Sequence, residues 1–138
     1  MSRRLFRKLK APLLVFIDVT GNCNLSCKHC YNSWRDLGKQ LNCASAEHLS
    51  EALANRVIDE LIKSEVLSVC LTGGEPLTNY NIVKLVLRRC KDAGIVVTMN
   101  SNLTLLTQER LLELKELVLH SVLVSVLGSC SEIHDLIT

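Results

Sequence analysis

Aromatic residues, proline and glycine are scarce in this sequence. Of its 138 residues, 4% are Phe, Trp or Tyr, two are proline and six are glycine, whereas 48% are hydrophobic. This composition excludes collagen-like and Pro/Gly-rich disordered chains and is typical of a globular domain. The sequence also has no apolar run near the roughly 20 residues that cross a bilayer. We therefore expect no membrane association.

An export signal is missing as well. The apolar segment at residues 11–17 leads directly into Asp18 and a cysteine-rich stretch, without the small-residue cleavage site of a secretory signal. We therefore expect an uncleaved, cytoplasmic protein. The seven cysteines are an odd number, and in a reducing compartment this favours metal ligands or buried thiols over disulfides.

The net charge is small, +2 at neutral pH, but basic residues are concentrated at the start of the chain. Five of the first ten residues are Arg or Lys. We interpret residues 1–11 as a solvated basic leader and regard contact with nucleic acid or acidic lipid there as the less favoured alternative. A chain of this length can bury the core of one domain, and no linker or repeat divides it. We therefore expect a single domain over residues 1–138.

Short apolar runs rich in β-branched residues predict four strands. They lie at residues 13–19, 66–72, 95–100 and 121–127, and the first is expected to be buried on both faces. Strands that are separated by helices pair in parallel through right-handed crossovers. The expected fold is therefore an α/β fold with the order β-α-β-α-β-α-β.

Helical periodicity predicts three helices between these strands. The first begins near Ser45, the second runs from about Asn79 to Ala93 and is ended by Gly94, and the third is capped by Thr107. We expect their apolar faces to be buried against the sheet. These faces comprise Leu49, Leu53, Val57 and Leu61 in the first helix and Leu111, Leu114, Leu117 and Val118 in the third.

Unusual residues follow each predicted strand. In parallel α/β sheets and barrels, functional sites form where the carboxyl ends of strands meet, because the loops there converge on one face. We therefore expect these residues to share one edge of the sheet. They are Cys23, Cys27 and Cys30 after the first strand, Gly73–Pro76 after the second, Ser101 and Asn102 after the third, and residues 125–128 at the end of the fourth.

Cys23, Cys27 and Cys30 have the spacing C-x3-C-x2-C, and no fourth cysteine stands beside them. Thiolates are the usual protein ligands of iron–sulfur clusters, and three of them leave one iron of a four-iron cluster open to an exogenous ligand. The alternative is a zinc site completed by His29, Cys43 or another cysteine. The cysteines outside this loop are expected to be plain core or surface thiols: Cys43, Cys70, Cys90 and Cys130.

The segment CNLSCKHC after one strand, with GGEP after the next, resembles the radical S-adenosylmethionine (radical SAM) superfamily. The resemblance implies a [4Fe-4S] cluster on Cys23, Cys27 and Cys30, with S-adenosylmethionine chelating the fourth iron. It also implies reductive cleavage of that molecule to a 5′-deoxyadenosyl radical, and a parallel β/α partial TIM-type barrel of which this chain forms the N-terminal portion, truncated after the fourth strand.

The resemblance also implies residues that bind S-adenosylmethionine. Gly73 and Gly74 match the segment whose backbone receives the methionyl amine, although a glycine pair can also serve only a tight turn. Pro76 belongs to the same motif, and Glu75 either contacts the ligand or braces the loop. His29 matches a position near the adenine, with an ordinary half-exposed loop histidine as the alternative.

Two further positions follow from the same resemblance. Asn102 matches the family's asparagine after the third strand, and Ser125 matches a serine that contacts S-adenosylmethionine. The segment VSVLGSCSEIHD resembles the branch that modifies peptides and proteins, which includes SPASM-type and sulfatase-maturating enzymes. Tyr31 and Trp34 are expected to shield the cluster.

The partners that this resemblance implies are a flavodoxin- or ferredoxin-like electron donor and a peptide or protein substrate. A sheet that ends at a fourth strand also exposes backbone groups and apolar side chains, so we expect a partner chain to cover that edge. The alternative function is a non-catalytic iron–sulfur or zinc-binding fragment, or a module that a partner completes.

Overall fold

The computed structural model describes residues 11–30 and 48–138. The predictions for the leader before residue 11 and for Tyr31, Trp34 and Cys43 therefore lie outside the described residues. Strands and helices alternate as the sequence predicts. The elements are β1 (Leu14–Thr20), α1 (Glu51–Lys63), β2 (Ser68–Gly73), a 3-10 turn (Pro76–Asn79), α2 (Tyr80–Asp92), β3 (Val96–Ser101), α3 (Gln108–Glu116), β4 (Ser121–Val124) and α4 (Ser131–Ile137).

The four strands form one parallel sheet in the order β1-β2-β3-β4. Neighbours in sequence are neighbours in space, which is the arrangement that successive β-α-β crossovers produce. The pairing of β1 with β2 is regular from Leu14 to Asp18 and then shifts, so that Thr20 pairs with Gly73. This irregularity lies where the chain leaves the sheet for the cysteine loop.

The hydrophobic core lies between the helices and one face of the sheet. Its fully buried members include Val19 of β1, Leu71 of β2, Met99 of β3 and Val83 of α2. On the opposite face Cys70 and Thr72 of β2 are also buried, but Phe16 on β1 is 60% exposed. The prediction that the first strand is buried on both faces is therefore wrong, because the helices cover only one side of β1.

Helix α1 begins later than its periodicity predicts. Residues 48–50 are not helical, and the side chain of Ser50 caps the helix by accepting a hydrogen bond from the backbone N–H of Leu53. Leu49 instead donates its backbone N–H to the carbonyl of Val19, 3.0 Å away. The prediction of a start near Ser45 is wrong for the described residues, because this segment pairs with β1.

The buried face of α1 is also rotated relative to the predicted stripe. Ala54, Ile58 and Leu61 are buried, whereas Leu53 is 47% exposed. Val57 packs only at the border of the core. The predicted face began with Leu49, which precedes the helix. It therefore followed one side of the apolar face of α1 instead of its centre.

The ends of the other two predicted helices agree with the sequence. Asp92 ends α2, and Gly94 has the left-handed backbone, φ 71°, that its position after the helix requires. The side chain of Thr107 caps α3 by accepting the backbone N–H of Arg110 at 3.3 Å. The end of α2 and the start of α3 could be predicted from the sequence because helix capping depends on residues that are close together in the chain.

The predicted apolar face of α3 is only partly buried. Leu114 is buried and Leu117 packs against the core, but Leu111 and Val118 are 47% and 57% exposed. The polar side of α3 is bonded to α2, where the hydroxyl of Tyr80 donates to Glu113 at 3.0 Å. Strand β4 ends at Val124, three residues earlier than predicted.

Both outer strands leave apolar side chains exposed. Leu123 on β4 is 70% exposed, and Val126 just beyond it is 72% exposed. A partner chain that covers this edge remains a prediction. Among the described residues, none of the helices has both the length and the apolar character that crossing a membrane would take.

Ile58→Ala is expected to lower the free energy of unfolding by about 2–5 kcal/mol, because Ile58 is fully buried and its truncation leaves a cavity. Ile62→Ala is the matched control on the same helix, since Ile62 is 37% exposed and its truncation should cost about 1 kcal/mol or less. Urea unfolding followed by circular dichroism measures both. Equal losses would contradict the position assigned to the core.

Candidate functional site

A cavity of about 220 Å³ opens at the carboxyl edge of the sheet. Loops after all four strands contribute to its wall, as expected for a parallel α/β fold. Most of the residues that the sequence singled out meet here. The lining includes Cys23, Cys27, Cys30, His29, Gly73, Gly74, Glu75, Ser101, Asn102 and Ser125.

Pro76 is the member of the predicted site that does not line this cavity. It is buried and opens the 3-10 turn that leads into α2. Proline suits that place because its fixed φ favours the first turn of a helix and it has no N–H to leave unpaired. The structure therefore gives Pro76 a role in turning the chain rather than a place on the cavity wall.

The GGEP loop is bonded directly to the start of the cysteine loop. Gly74 donates its backbone N–H to the carbonyl of Thr20, and Glu75 donates its backbone N–H to the carbonyl of Asn22, each at 2.7 Å. A Cβ atom on Gly74 would clash with the carbonyl of Asn22. Glycine is therefore required at this position for the approach of another chain segment, whatever binds in the cavity.

Glu75 is buried, and its side chain joins the loop after β2 to the loop after β3. The residue is 1% exposed. Its Oε1 accepts the backbone N–H of Leu77 at 3.0 Å and the hydroxyl of Ser101 at 2.7 Å. Oε2 accepts the backbone N–H of Asn102 at 2.8 Å. Of the two roles considered for Glu75, these contacts support bracing, since they tie the loop after β2 to the loop after β3.

His48 is a part of the site that sequence reasoning missed. Its Nδ1 lies 2.9 Å from the hydroxyl of Thr20, and its Nε2 lies 2.8 Å from the side-chain amide of Asn22. His48 also forms an isolated antiparallel bridge with Thr20. Both partners are more than 25 positions away in the sequence, so no local spacing could have indicated that this histidine holds the start of the cysteine loop.

The loop after β4 closes another side of the cavity. Ser125 lines it and donates its backbone N–H to the carbonyl of Ser101 at 3.3 Å. His134 of α4 accepts the backbone N–H of Leu127 on Nδ1 at 3.2 Å. These contacts hold the fourth loop beside the third.

The three cysteines of the CNLSCKHC segment share the wall of this cavity. The Cys23 sulfur accepts the backbone N–H of Leu25 at 3.4 Å and the side-chain amide of Asn102 at 3.8 Å. Within residues 11–30 and 48–138, no group of three or more His, Cys, Asp or Glu side chains is arranged to hold a single metal ion.

The donor set in the cavity fits an iron–sulfur cluster. Three thiols from one short loop are the kind of ligand that such clusters take, and the glycine loop lines the same cavity.

The cysteines on β2 and α2 are both buried, as predicted. Cys70 is 5% exposed and Cys90 is fully buried, and burial raises the pKa of the Cys90 thiol to about 11. Cys130 is exposed and precedes α4. Cys43 lies outside the described residues.

Residues 17–138 match the sequence profile of the Radical SAM superfamily. The chain belongs to the radical SAM superfamily. Members of this superfamily use a [4Fe-4S] cluster and S-adenosylmethionine. The resemblance inferred from CNLSCKHC and GGEP is thereby confirmed.

Two relatives of this radical SAM chain are enzymes of different kinds. It is 34% identical over 125 residues to the AdoMet-dependent heme synthase of Methanosarcina barkeri, a match that covers 91% of the chain and 34% of the relative. It is 35% identical over 124 residues to the PqqA peptide cyclase of Rhodopseudomonas palustris, covering 90% and 31%. The chain thus spans about a third of the length of these relatives.

Solved structures confirm the fold. SuiB of Streptococcus suis bound to S-adenosylmethionine has a TM-score of 0.71 at 22% identity, covering 91% of this chain and 27% of SuiB. BtrN in complex with AdoMet and 2-DOIA has a TM-score of 0.68 at 19% identity, covering 93% and 52%. The predicted partial TIM-type barrel is correct, and the four strands described here form part of it.

Glu75→Gln is expected to destabilise the radical SAM fold by about 1–3 kcal/mol, because an amide offers one acceptor oxygen where three donors now meet a carboxylate. The amide nitrogen would face a donor, either the N–H of Asn102 or the pair from Leu77 and Ser101. Urea unfolding measures the effect. Glu116→Gln, at an exposed position, is the control and should stay within about 0.5 kcal/mol of the wild type.

Cys90 is expected to resist iodoacetamide in the folded chain at pH 7, because it is fully buried and its pKa of about 11 leaves almost no thiolate. Cys130 should react under the same conditions because it is exposed. Mass spectrometry of the digested, labelled protein measures both sites, and unfolding in urea should make Cys90 reactive. Rapid labelling of Cys90 in the native chain would contradict its placement in the core.

Proposed function

We propose that this chain is the cofactor-binding part of an enzyme that reductively cleaves S-adenosylmethionine to a 5′-deoxyadenosyl radical in order to modify a peptide or protein. The observation that supports it best is the meeting of Cys23, Cys27 and Cys30 with the GGEP loop in one cavity at the carboxyl edge of the sheet. The two motifs are more than 40 residues apart in the sequence. The proposed reaction requires the cluster ligands and the S-adenosylmethionine-binding loop to lie in the same cavity.

In this proposal Cys23, Cys27 and Cys30 hold the [4Fe-4S] cluster and leave one iron without a protein ligand. When bound, the reduced cluster supplies the electron that cleaves S-adenosylmethionine. The task of the chain is to orient both groups and to limit the access of water. The bonds from Gly74 and Glu75 to the start of the cysteine loop keep the two halves of the site at a constant separation.

S-adenosylmethionine is proposed to lie along the glycine loop. Gly73 and Gly74 line the cavity, and their backbone is proposed to receive the methionyl amine; Ser125 and His29 line the same cavity. Ser125 is proposed to contact S-adenosylmethionine, and His29 to lie near its adenine. Glu75 is proposed to act through the loop, because its carboxylate is already occupied by three donors.

A peptide or protein is the proposed substrate class. The support is the segment from Val124 to Asp135, which resembles the peptide-modifying branch, and the similarity to a PqqA peptide cyclase. The electron is proposed to come from a flavodoxin- or ferredoxin-like protein in the cytoplasm. The open edge at β4, where Leu123 is exposed, is proposed to be covered by further protein.

Anaerobic reconstitution with iron and sulfide, followed by reduction in the presence of S-adenosylmethionine, tests this function. The wild-type chain should bind about four irons, the content of a [4Fe-4S] cluster, and should release 5′-deoxyadenosine, measured by liquid chromatography. Cys27→Ala should reduce that product to the level of a protein-free sample, because one cluster ligand is lost.

Cys130→Ala is the matched control, since Cys130 is a cysteine outside the cavity and should leave iron content and product unchanged. A wild-type chain that binds a full cluster without forming 5′-deoxyadenosine would support the non-catalytic iron–sulfur alternative. Stoichiometric zinc with no iron uptake would overturn the cluster assignment itself.

A further inference from the structure

Asn102 belongs to a closed ring of hydrogen bonds beside the cysteine loop. Its side-chain Nδ2 donates to Oδ1 of Asn24 at 3.2 Å, and Nδ2 of Asn24 donates to the hydroxyl of Thr104 at 2.6 Å. The hydroxyl of Thr104 donates in turn to Oδ1 of Asn102 at 2.7 Å. The ring joins the loop after β1 to the loop after β3 across almost 80 positions of sequence.

The side chain of Asn102 has no hydrogen-bonding capacity left over. An asparagine amide offers two N–H donors and an oxygen that accepts two bonds. One N–H serves Asn24, and the other points to the sulfur of Cys23 at 3.8 Å. The oxygen accepts the hydroxyl and the backbone N–H of Thr104, the latter at 2.9 Å. A contact with a bound ligand would have to break one of these four bonds.

We propose that Asn102 is a positioning residue for the iron–sulfur cluster: held by Asn24 and Thr104, it donates an N–H to the Cys23 sulfur and thereby sets the reduction potential. This inference rests on the proposed function, since it needs a cluster on Cys23. It replaces the role that the family resemblance implied for Asn102, a direct contact with S-adenosylmethionine.

The direction of the effect follows from electrostatics. Reduction adds negative charge to a cluster and its thiolates, and an N–H donor on a ligand sulfur stabilises that charge. The donor therefore raises the potential and makes the cluster easier to reduce. The backbone N–H of Leu25 donates to the same sulfur, but only proline would remove it, and proline would also restrict the backbone of the cysteine loop. Asn102 is thus the contact to Cys23 that mutation can test.

The test is a potentiometric titration of the reconstituted 138-residue chain without S-adenosylmethionine, followed by electron paramagnetic resonance of the reduced cluster. Asn102→Ala should shift the potential to a more negative value. The expected shift in potential is about 59 mV for one electron, which corresponds to a tenfold change in the ratio of reduced to oxidised cluster at a given potential. The dissociation constant of S-adenosylmethionine, measured by equilibrium dialysis on the oxidised cluster, should change less than twofold.

Thr104 provides a matched pair of variants. Thr104→Val removes the hydroxyl that orients Asn102 and should shift the potential in the same direction by a smaller amount, whereas Thr104→Ser keeps the hydroxyl and should retain the wild-type value. If Asn102→Ala fails to take up iron, these two variants still test whether the orientation of Asn102 sets the reduction potential. Equal potentials for Thr104→Val and Thr104→Ser would then overturn the proposal.

An unchanged potential in Asn102→Ala, together with at least tenfold weaker binding of S-adenosylmethionine, would overturn the inference and restore the direct ligand contact. The proposed function would survive that outcome, because the wild-type chain would still carry a cluster and release 5′-deoxyadenosine. A wild-type chain that takes up no iron would overturn both.

Discussion

The backbone contact between the GGEP loop and the start of the cysteine loop is the constraint on which the rest of the site depends. Gly74 and Glu75 each donate a backbone N–H at 2.7 Å to a carbonyl of that loop, at a separation that leaves no room for a Cβ atom on Gly74. Because parallel strands β1 and β2 deliver these segments side by side, the sheet determines how far the thiols lie from the glycine backbone. A different residue at position 74 would change that separation before it changed any ligand contact.

The second constraint is the buried carboxylate of Glu75. A charged group at 1% exposure is unfavourable unless donors compensate for the lost water, and here an N–H from Leu77, the hydroxyl of Ser101 and an N–H from Asn102 do so. The same bonds align the loop after β3 with the GGEP loop. Asn102 is thus held through its backbone by Glu75, and its side chain is left to face Cys23.

Local chemistry made much of this predictable. Patterns within a few residues predict the alternation of strands and helices, the Thr107 cap and the end of α2 before Gly94. The topology that these elements imply predicts that the motifs meet at one edge of the sheet. The role of His48 and the ring around Asn102 do not, because they depend on contacts between residues 26 to 80 positions apart. The exposed face of β1 was unpredictable for a related reason: an apolar strand does not reveal whether one or both of its faces are covered.

The two parts of the proposed function depend on different residues, and they can therefore fail separately. Cofactor binding rests on loops after all four strands, whose side chains and backbone already face one another in the described chain. The substrate class rests on one segment around Ser125 and on a relative of which this chain spans about a third. Leu123 is 70% exposed and also lines the cavity that holds the thiols, so a surface that covered β4 would border that cavity as well. The separation of the thiols and the glycine loop, by contrast, depends on the bonds that Gly74 and Glu75 make within this chain.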